Sequence, residues 1–151
     1  MFTRDYLAGM LYAKAQPVIR VSKNADSALG YRVTLMVNFK LRGEIDEHQS
    51  ALLRGIQRTL LQNNIESTIN KKGLTIARID SIDSLMDLML IAPNCGNNMP
   101  LEYTPVRNYG VSRSYRLGGR WEKFARVWAF YSVGEHLTQD GLNQIIEILG
   151  V

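Results

Sequence analysis

One segment of regular alternation constrains the fold of this chain more than any other feature. From residue 31 to residue 42, every second side chain is apolar. This period of two predicts a β-strand with one face in a core and the other face outside it. The apolar set is Tyr31, Val33, Leu35, Val37, Phe39 and Leu41, and the opposite set includes Arg32, Thr34, Met36, Asn38 and Lys40. We therefore expect a sheet that is covered on one side only.

The segments around this strand predict two hairpins. Residues 17–24 have the composition of a second strand, and a turn rich in Asp, Ser and Gly separates them from residue 31. A second hairpin is expected from residues 65–70 and 74–80. Two hairpins supply four antiparallel strands.

Apolar side chains at helical spacing predict the remaining elements. Asp46 with Gln49 three residues later is typical of a capping box at the start of a helix. The helices are expected over residues 4–15, from Asp46 to residue 63, from Ser81 to Pro93, over residues 120–134 and after Thr138. Residues 94–119 show no sustained period and are expected to form a loop. His136 is expected to close one helix and to position the next.

The order of elements predicts an α+β fold. Four antiparallel strands preceded, separated and followed by helices favour one sheet with helices packed on one face. The chain has 151 residues, of which 46% are hydrophobic. This size and composition are typical of one globular domain, which we expect to span residues 1–151.

Cysteine and histidine are too few for several classes of site. Cys95 is the only cysteine, so an internal disulfide is excluded and an intracellular setting is expected, with an organelle possible. Neither His48 nor His136 has metal-ligand spacing, so no metal site is predicted. The apolar segments are too short to span a bilayer, and we expect no membrane partner. The net charge of +4 permits a nucleic-acid partner without requiring one.

The segment from residue 6 to residue 15 contains two small residues whose spacing places them on the same side of a helix. Gly9 and Ala13 are four residues apart and share one face of a helix. Small side chains on a face allow a second helix backbone to approach closely. Taken alone, the same pattern also fits an ordinary helix that faces its own core.

Residues 7–15 resemble the nine-residue signature of the LAGLIDADG homing endonucleases. Leu7, Ala8, Gly9 and Ala13 match the signature, whereas Tyr12, Lys14 and Ala15 differ from it. The segment from Gly134 to Leu142 is also similar to a recurring segment of that family. This resemblance implies an αββαββα domain and covers nearly the whole chain, and the residues 94–119 match least well.

The resemblance also implies where chemistry would occur. In the family, one acid from each of two signature helices holds divalent metal ions over the scissile phosphates. Lys14 stands at the position of that acid, and a protonated amine has no lone pair for a metal ion. Asp5 is roughly 13 Å away along a helix, and Asp26 lies in a distant turn. We therefore expect no catalytic residue, no metal site and no cofactor; Mg²⁺ would be needed only if the chain cleaves DNA.

Binding to double-stranded DNA is the function that the resemblance implies. The family places its two hairpins in the major groove, where Arg, Lys and Asn suit base edges and phosphates. The predicted contacts are Arg20, Ser22, Asn24, Arg32, Thr34, Asn38, Lys40, Thr68, Asn70, Lys72 and Arg78.

A single signature in the chain implies a homodimer. Two copies related by a two-fold axis would meet along the signature helices and would bind a long, nearly palindromic duplex. The predicted interface residues are Leu7, Gly9, Met10 and Ala13.

Three other functions fit parts of the sequence. The chain could be a working endonuclease that uses an unusual acid. It could be an intron-RNA-binding maturase, with RNA held by the basic loop that contains Arg107, Arg113, Tyr115 and Arg116. It could also be an interaction domain that binds no nucleic acid.

Overall fold

A computed structural model describes residues 3–41, 43, 45–91 and 121–150 of the chain. The elements in chain order are α1 (Arg4–Lys14), β1 (Gln16–Lys23), β2 (Tyr31–Lys40), α2 (Glu47–Gln62), β3 (Thr68–Asn70), β4 (Gly73–Ile76), α3 (Ile79–Ile91), α4 (Trp121–Ser132), a 3-10 turn (Glu135–Leu137) and α5 (Gln139–Leu149). The predicted loop with Arg107, Arg113, Tyr115 and Arg116 lies outside the described residues, as does Cys95.

The strands form one antiparallel sheet in the order β1-β2-β4-β3. The long strand β2 lies inside the sheet, with Arg20 of β1 opposite Thr34 and Thr75 of β4 opposite Asn38. The predicted four-stranded α+β layer is therefore confirmed.

The core lies between the sheet and the helices. On β2, the predicted apolar face supplies Val33, Leu35, Val37 and Phe39, all buried. The helices cover this face with large apolar side chains, among them Leu7, Leu11, Leu53, Ile56, Ile82, Trp121, Phe124, Trp128 and Leu142. Alternation in β2 thus divides the sheet into a covered face and an open one.

Side-chain caps fix the starts of three helices. Thr3 accepts a hydrogen bond from the backbone nitrogen of Tyr6 at 3.2 Å and begins α1. Asp46 and Gln49 form the predicted reciprocal capping box at α2, with distances of 2.8 and 3.2 Å. Thr138 accepts from the backbone nitrogen of Gly141 at 3.0 Å in α5, as predicted.

The second hairpin is shorter than predicted. Strand β4 ends at Ile76 instead of continuing to residue 80, and α3 already begins at Ile79. Ser81 does not cap α3: its hydroxyl accepts a hydrogen bond from the backbone nitrogen of Glu66 at 2.8 Å. This bond attaches the connection after α2 to the first turn of α3.

The connection from α4 to α5 contains His136 at the predicted place. Its ring stacks on Tyr131, with ring centres 3.8 Å apart and planes 11° from parallel. At Gly141, a Cβ would collide with the backbone carbonyl of Glu135. Glycine therefore allows the first turn of α5 to pack against the 3-10 turn.

Each helix in the described ranges is too short or too polar to cross a membrane.

Candidate nucleic-acid interface

The sheet has a second face that points away from the helices. The strand register places on it the side chains that alternate with the core residues. We call this set the open face; its members are Gln16, Val18, Arg20, Ser22, Arg32, Thr34, Met36, Asn38, Lys40, Thr68, Asn70 and Thr75. Each of these side chains is exposed or half-buried.

The open face is positively charged. Arg20, Arg32 and Lys40 are exposed on it, and none of its members is Asp or Glu. An ordinary solvated sheet face mixes both signs of charge. A surface with cations and no carboxylate attracts a polyanion such as a nucleic-acid backbone.

The structure brings most of the predicted DNA contacts together on this face. They are Arg20, Ser22, Arg32, Thr34, Asn38, Lys40, Thr68 and Asn70. Lys72 lies in the β3–β4 turn beside it. Asn24 lies in the β1–β2 turn, where its side-chain oxygen accepts a hydrogen bond from the backbone nitrogen of Asp26 at 3.0 Å.

Arg78 is not part of the open face. It follows the end of β4, and its guanidinium contacts the carboxylates of Glu66 at 2.7 Å and Asp80 at 3.6 Å. The prediction of Arg78 as a DNA contact depended on extending β4 too far. Because Leu74 and Ile76 face the core, alternation puts Arg78 out of phase with the polar positions.

Thr75 belongs to the open face and was missed in the sequence. It lies opposite Asn38 on β2 and Thr68 on β3. Its hydroxyl donates to Oδ1 of Asn38 and accepts from Nδ2 of Asn70, both at 3.0 Å. Its position between the apolar residues Leu74 and Ile76 was the available signal.

The signature helix α1 also has two faces. Leu7, Ala8 and Leu11 are buried in the core of their own chain. Gly9 is half-buried and Ala13 is exposed, whereas the half-buried Met10 packs against that core. The predicted interface is therefore corrected at Leu7, whose side chain has no accessible area for a partner.

The C-terminal end of α1 is held by an aromatic contact from α4. The indole Nε1 of Trp121 donates to the backbone carbonyl of Tyr12 at 2.8 Å. The two rings stack with centres 6.5 Å apart. A helix leaves its last carbonyls without intrahelical partners, and the indole satisfies one of them. Lys14 is exposed in the same last turn.

The last turn of α1 has a basic side chain, Lys14, and no acidic one. Divalent metal ions that assist hydrolysis of phosphodiesters need oxygen ligands, and Lys14 supplies none. In the described part of the chain, no group of three His, Cys, Asp or Glu side chains could hold a metal ion. Glu122, which sequence reasoning did not consider, follows Trp121 in the first turn of α4.

Comparison with solved structures identifies the fold. The chain superposes on the homing endonuclease I-TnaI with a TM-score of 0.69 and 18% identity, over 98% of this chain and 85% of that one. It matches the LAGLIDADG meganuclease I-CpaMI, solved with uncleaved DNA, with a TM-score of 0.65, 17% identity and 98% of this chain. It matches the I-LtrWI LAGLIDADG homing endonuclease, solved with target DNA, with a TM-score of 0.64 and 21% identity over 97% of this chain.

The chain spans 44% of I-CpaMI and 43% of I-LtrWI. No protein-family model and no curated protein sequence matches it. The order of elements, the four-stranded sheet and these superpositions agree, and the chain has the LAGLIDADG homing-endonuclease fold.

Proposed function

We propose that this protein binds a specific, nearly palindromic DNA duplex as a homodimer and does not cleave it. The observation that carries the proposal is the open face, which combines Arg20, Arg32 and Lys40 with hydroxyl and amide side chains and has no acid. Cations contact phosphates and guanine, and amides discriminate base edges. A β-ribbon fits the width of the major groove.

The two faces of α1 support a homodimer. Its inner face is buried in the core, and its outer face exposes small side chains at Gly9 and Ala13. A second copy of the helix can approach such a face closely. The coverage of less than half of I-CpaMI and I-LtrWI also supports a chain that supplies one half of a larger unit.

The residue types at the end of α1 support the absence of cleavage. Two subunits would bring two Lys14 side chains, and their positive charge repels a divalent metal ion. A lysine there suits a DNA phosphate, because phosphate contacts from Lys supply affinity that does not depend on sequence.

The test is selection from a random duplex library with the purified protein, with and without Mg²⁺. Bound DNA is sequenced, and its ends are examined for breaks. The proposal predicts one enriched near-palindrome with intact strands in both conditions. If no duplex is enriched even at low salt, the result would contradict DNA binding. Preference for structured RNA in a parallel selection would favour the maturase alternative.

The endonuclease alternative has its own arm in the same experiment. Staggered breaks that appear only with Mg²⁺ would contradict the absence of cleavage. Glu122 is the acid to examine in that case, because Trp121 attaches its helix to the end of α1. If Glu122→Gln abolished the breaks and left the bound sequence unchanged, the chain would be an enzyme with an unusual acid.

A further inference from the structure

Three side chains of the open face form a chain of hydrogen bonds across β3, β4 and β2. We infer that the network of Asn70, Thr75 and Asn38 directs the Asn38 oxygen toward β4 and its amide N–H groups toward the major groove, so that Asn38 selects guanine against adenine. The inference rests on the proposed function and specifies the base that one part of the open face reads.

The first step fixes the orientation of Asn70. Its Oδ1 accepts from the backbone nitrogens of Lys72 at 3.0 Å and Gly73 at 3.1 Å. A backbone N–H can only donate, so the side-chain atom that receives both bonds must be the carbonyl oxygen. The amide nitrogen of Asn70 therefore faces Thr75.

The second step fixes the direction of the Thr75 hydroxyl. A hydroxyl has one hydrogen and two lone pairs. Because it accepts from Nδ2 of Asn70 at 3.0 Å, its hydrogen is available to Asn38, which lies directly opposite on β2. The atom of Asn38 that receives this hydrogen at 3.0 Å is Oδ1.

The third step determines what Asn38 presents to DNA. Its oxygen is held sideways, toward β4, and its nitrogen keeps two hydrogens that have no acceptor among the described residues. An unconstrained Asn reads adenine with both atoms: the oxygen accepts from N6, and the nitrogen donates to N7. Because the oxygen is directed at Thr75, the amide is not oriented to accept from N6 and donate to N7 at the same time.

Guanine is the base that suits the amide N–H groups of Asn38. Its major-groove edge has two acceptors, N7 and O6, and no donor. Lys40, two residues after Asn38 on the same face, adds an ammonium that can only donate. The local set therefore complements guanine, whereas the N6 amino group of adenine would meet another donor.

The first test is library selection with the purified full chain and three variants. Asn38→Ala identifies the position of the selected sequence that Asn38 contacts, which we call the Asn38 column, because the base preference at that position should disappear. The wild type should enrich guanine over adenine about tenfold in that column. Thr75→Val keeps the shape and frees the Asn38 oxygen, and the ratio should fall below about threefold. Thr59→Val is the control, because the Thr59 hydroxyl donates within α2 to the carbonyl of Gly55 at 3.0 Å, away from the open face, and the guanine preference should remain.

A fourth variant tests the direction of the network by different chemistry. Asn70→Asp can still accept from the backbone nitrogens of Lys72 and Gly73, but its carboxylate has no hydrogen for Thr75. The Thr75 hydrogen would then go to the new carboxylate, and Asn38 would be released. Total affinity should fall because of the added negative charge, and the guanine preference should fall as it does in Thr75→Val.

Two outcomes would overturn the inference while DNA binding stands. One is an unchanged guanine preference in Thr75→Val, and the other is an adenine preference in the wild type at the Asn38 column.

Side-chain amide NMR signals of Asn38 and Asn70, recorded without DNA, separate this inference from the proposed function. Both signals should shift in Thr75→Val and stay in place in Thr59→Val. If they shift as expected and the wild type enriches no duplex, the proposed function fails and the base preference fails with it. If they do not shift, the network itself is refuted.

Discussion

Lys14 has two physical effects at the end of α1. A positive charge in the last turn interacts favourably with the helix dipole, by about 0.3–1 kcal/mol. The same charge repels a divalent metal ion from the place where two signature helices would meet. Because Lys14 is exposed, its charge is not buried on folding, and both effects can operate.

Replacing Lys14 with Asp should make DNA binding depend on metal. We expect Lys14→Asp to bind duplex more weakly in EDTA and to regain affinity in Mg²⁺, because two carboxylates near phosphates need a cation between them. Titration of a labelled target duplex measures this. Lys123→Asp, an equal charge change on α4, should weaken binding less and should not be rescued by Mg²⁺. Metal-independent binding by Lys14→Asp would contradict the assigned position of this residue.

Trp121 connects α4 to the carbonyl end of α1, and Trp121→Phe removes that connection. A buried acceptor without a partner costs about 1–3 kcal/mol, so the urea midpoint should fall. Trp128→Phe is the matched control, since it removes a comparable bond to Asp83 of 2.7 Å elsewhere. Both variants should be less stable, but only Trp121→Phe should also weaken the dimer. Equal dimerisation in the two variants would contradict the role of Trp121 at α1.

His136 gives the stability a predictable dependence on pH. Burial lowers the pKa of His136 below its ordinary value of 6.5. As the pH falls through 6.5, the unfolded chain takes up a proton that the folded chain still excludes, so the free energy of unfolding decreases. Urea unfolding between pH 7.5 and pH 5.5 should show this loss in the wild type and less of it in His136→Gln. The same loss in His136→Gln and in the control His48→Gln would contradict the assignment.

At the scale of elements, the sequence predicted correctly the helices and strands whose residue pattern extends over many positions. The alternation in β2 and the capping box of α2 were sufficient, because each repeats a local rule several times. The second hairpin was misplaced because β3 and β4 are short, and their ends depend on tertiary contacts. The bond from Glu66 to Ser81 is such a contact, and nothing in the local sequence indicates it.

For the candidate site too, prediction succeeded on the long strand pattern and failed on the short strands. Residues on β1 and β2 were placed correctly on the open face because their register follows from one clear strand. The predicted strand extended to residue 80 and so included Arg78, which follows the end of β4. Thr75 lay within the predicted strand, but its place on the open face follows from its pairing with Asn38. Leu7 was assigned to the interface because the signature does not show which side of the helix faces its own core.

The proposed dimer can be tested on the outer face of α1. Ala13→Glu should give a monomer, because two carboxylates would face each other across a surface made for small side chains. The fold should remain, since Ala13 is exposed. Analytical ultracentrifugation over a concentration range measures the effect, and Leu52→Glu on the exposed side of α2 is the control. A dimer that survives Ala13→Glu, or fails equally in Leu52→Glu, would contradict the α1 interface.

At the scale of the whole molecule, the fold gives the two sides of one sheet different surfaces. Helices bury the apolar side, and the open face keeps cations and hydrogen-bonding side chains without having to pack a core. The sequence could predict a buried side and an open side because apolar and polar residues alternate along β2. It could not predict which hydrogen bonds cross the strands, because those depend on the register between distant segments.

Charge on the two sides of the sheet provides the most direct test of the central claim that the open face binds DNA. The measurement is the affinity for the selected duplex as a function of salt. One variant changes Arg20, Arg32 and Lys40 to Gln, and its control changes Arg54, Arg58 and Lys123 to Gln. Both remove three exposed cations, but the control removes them from the helices.

We expect the open-face variant to lose most of its affinity and to reduce the salt slope by about 0.9 for each phosphate contact removed. The control should stay close to the wild type. Equal weakening of the two variants, or wild-type affinity in the open-face variant, would contradict the account.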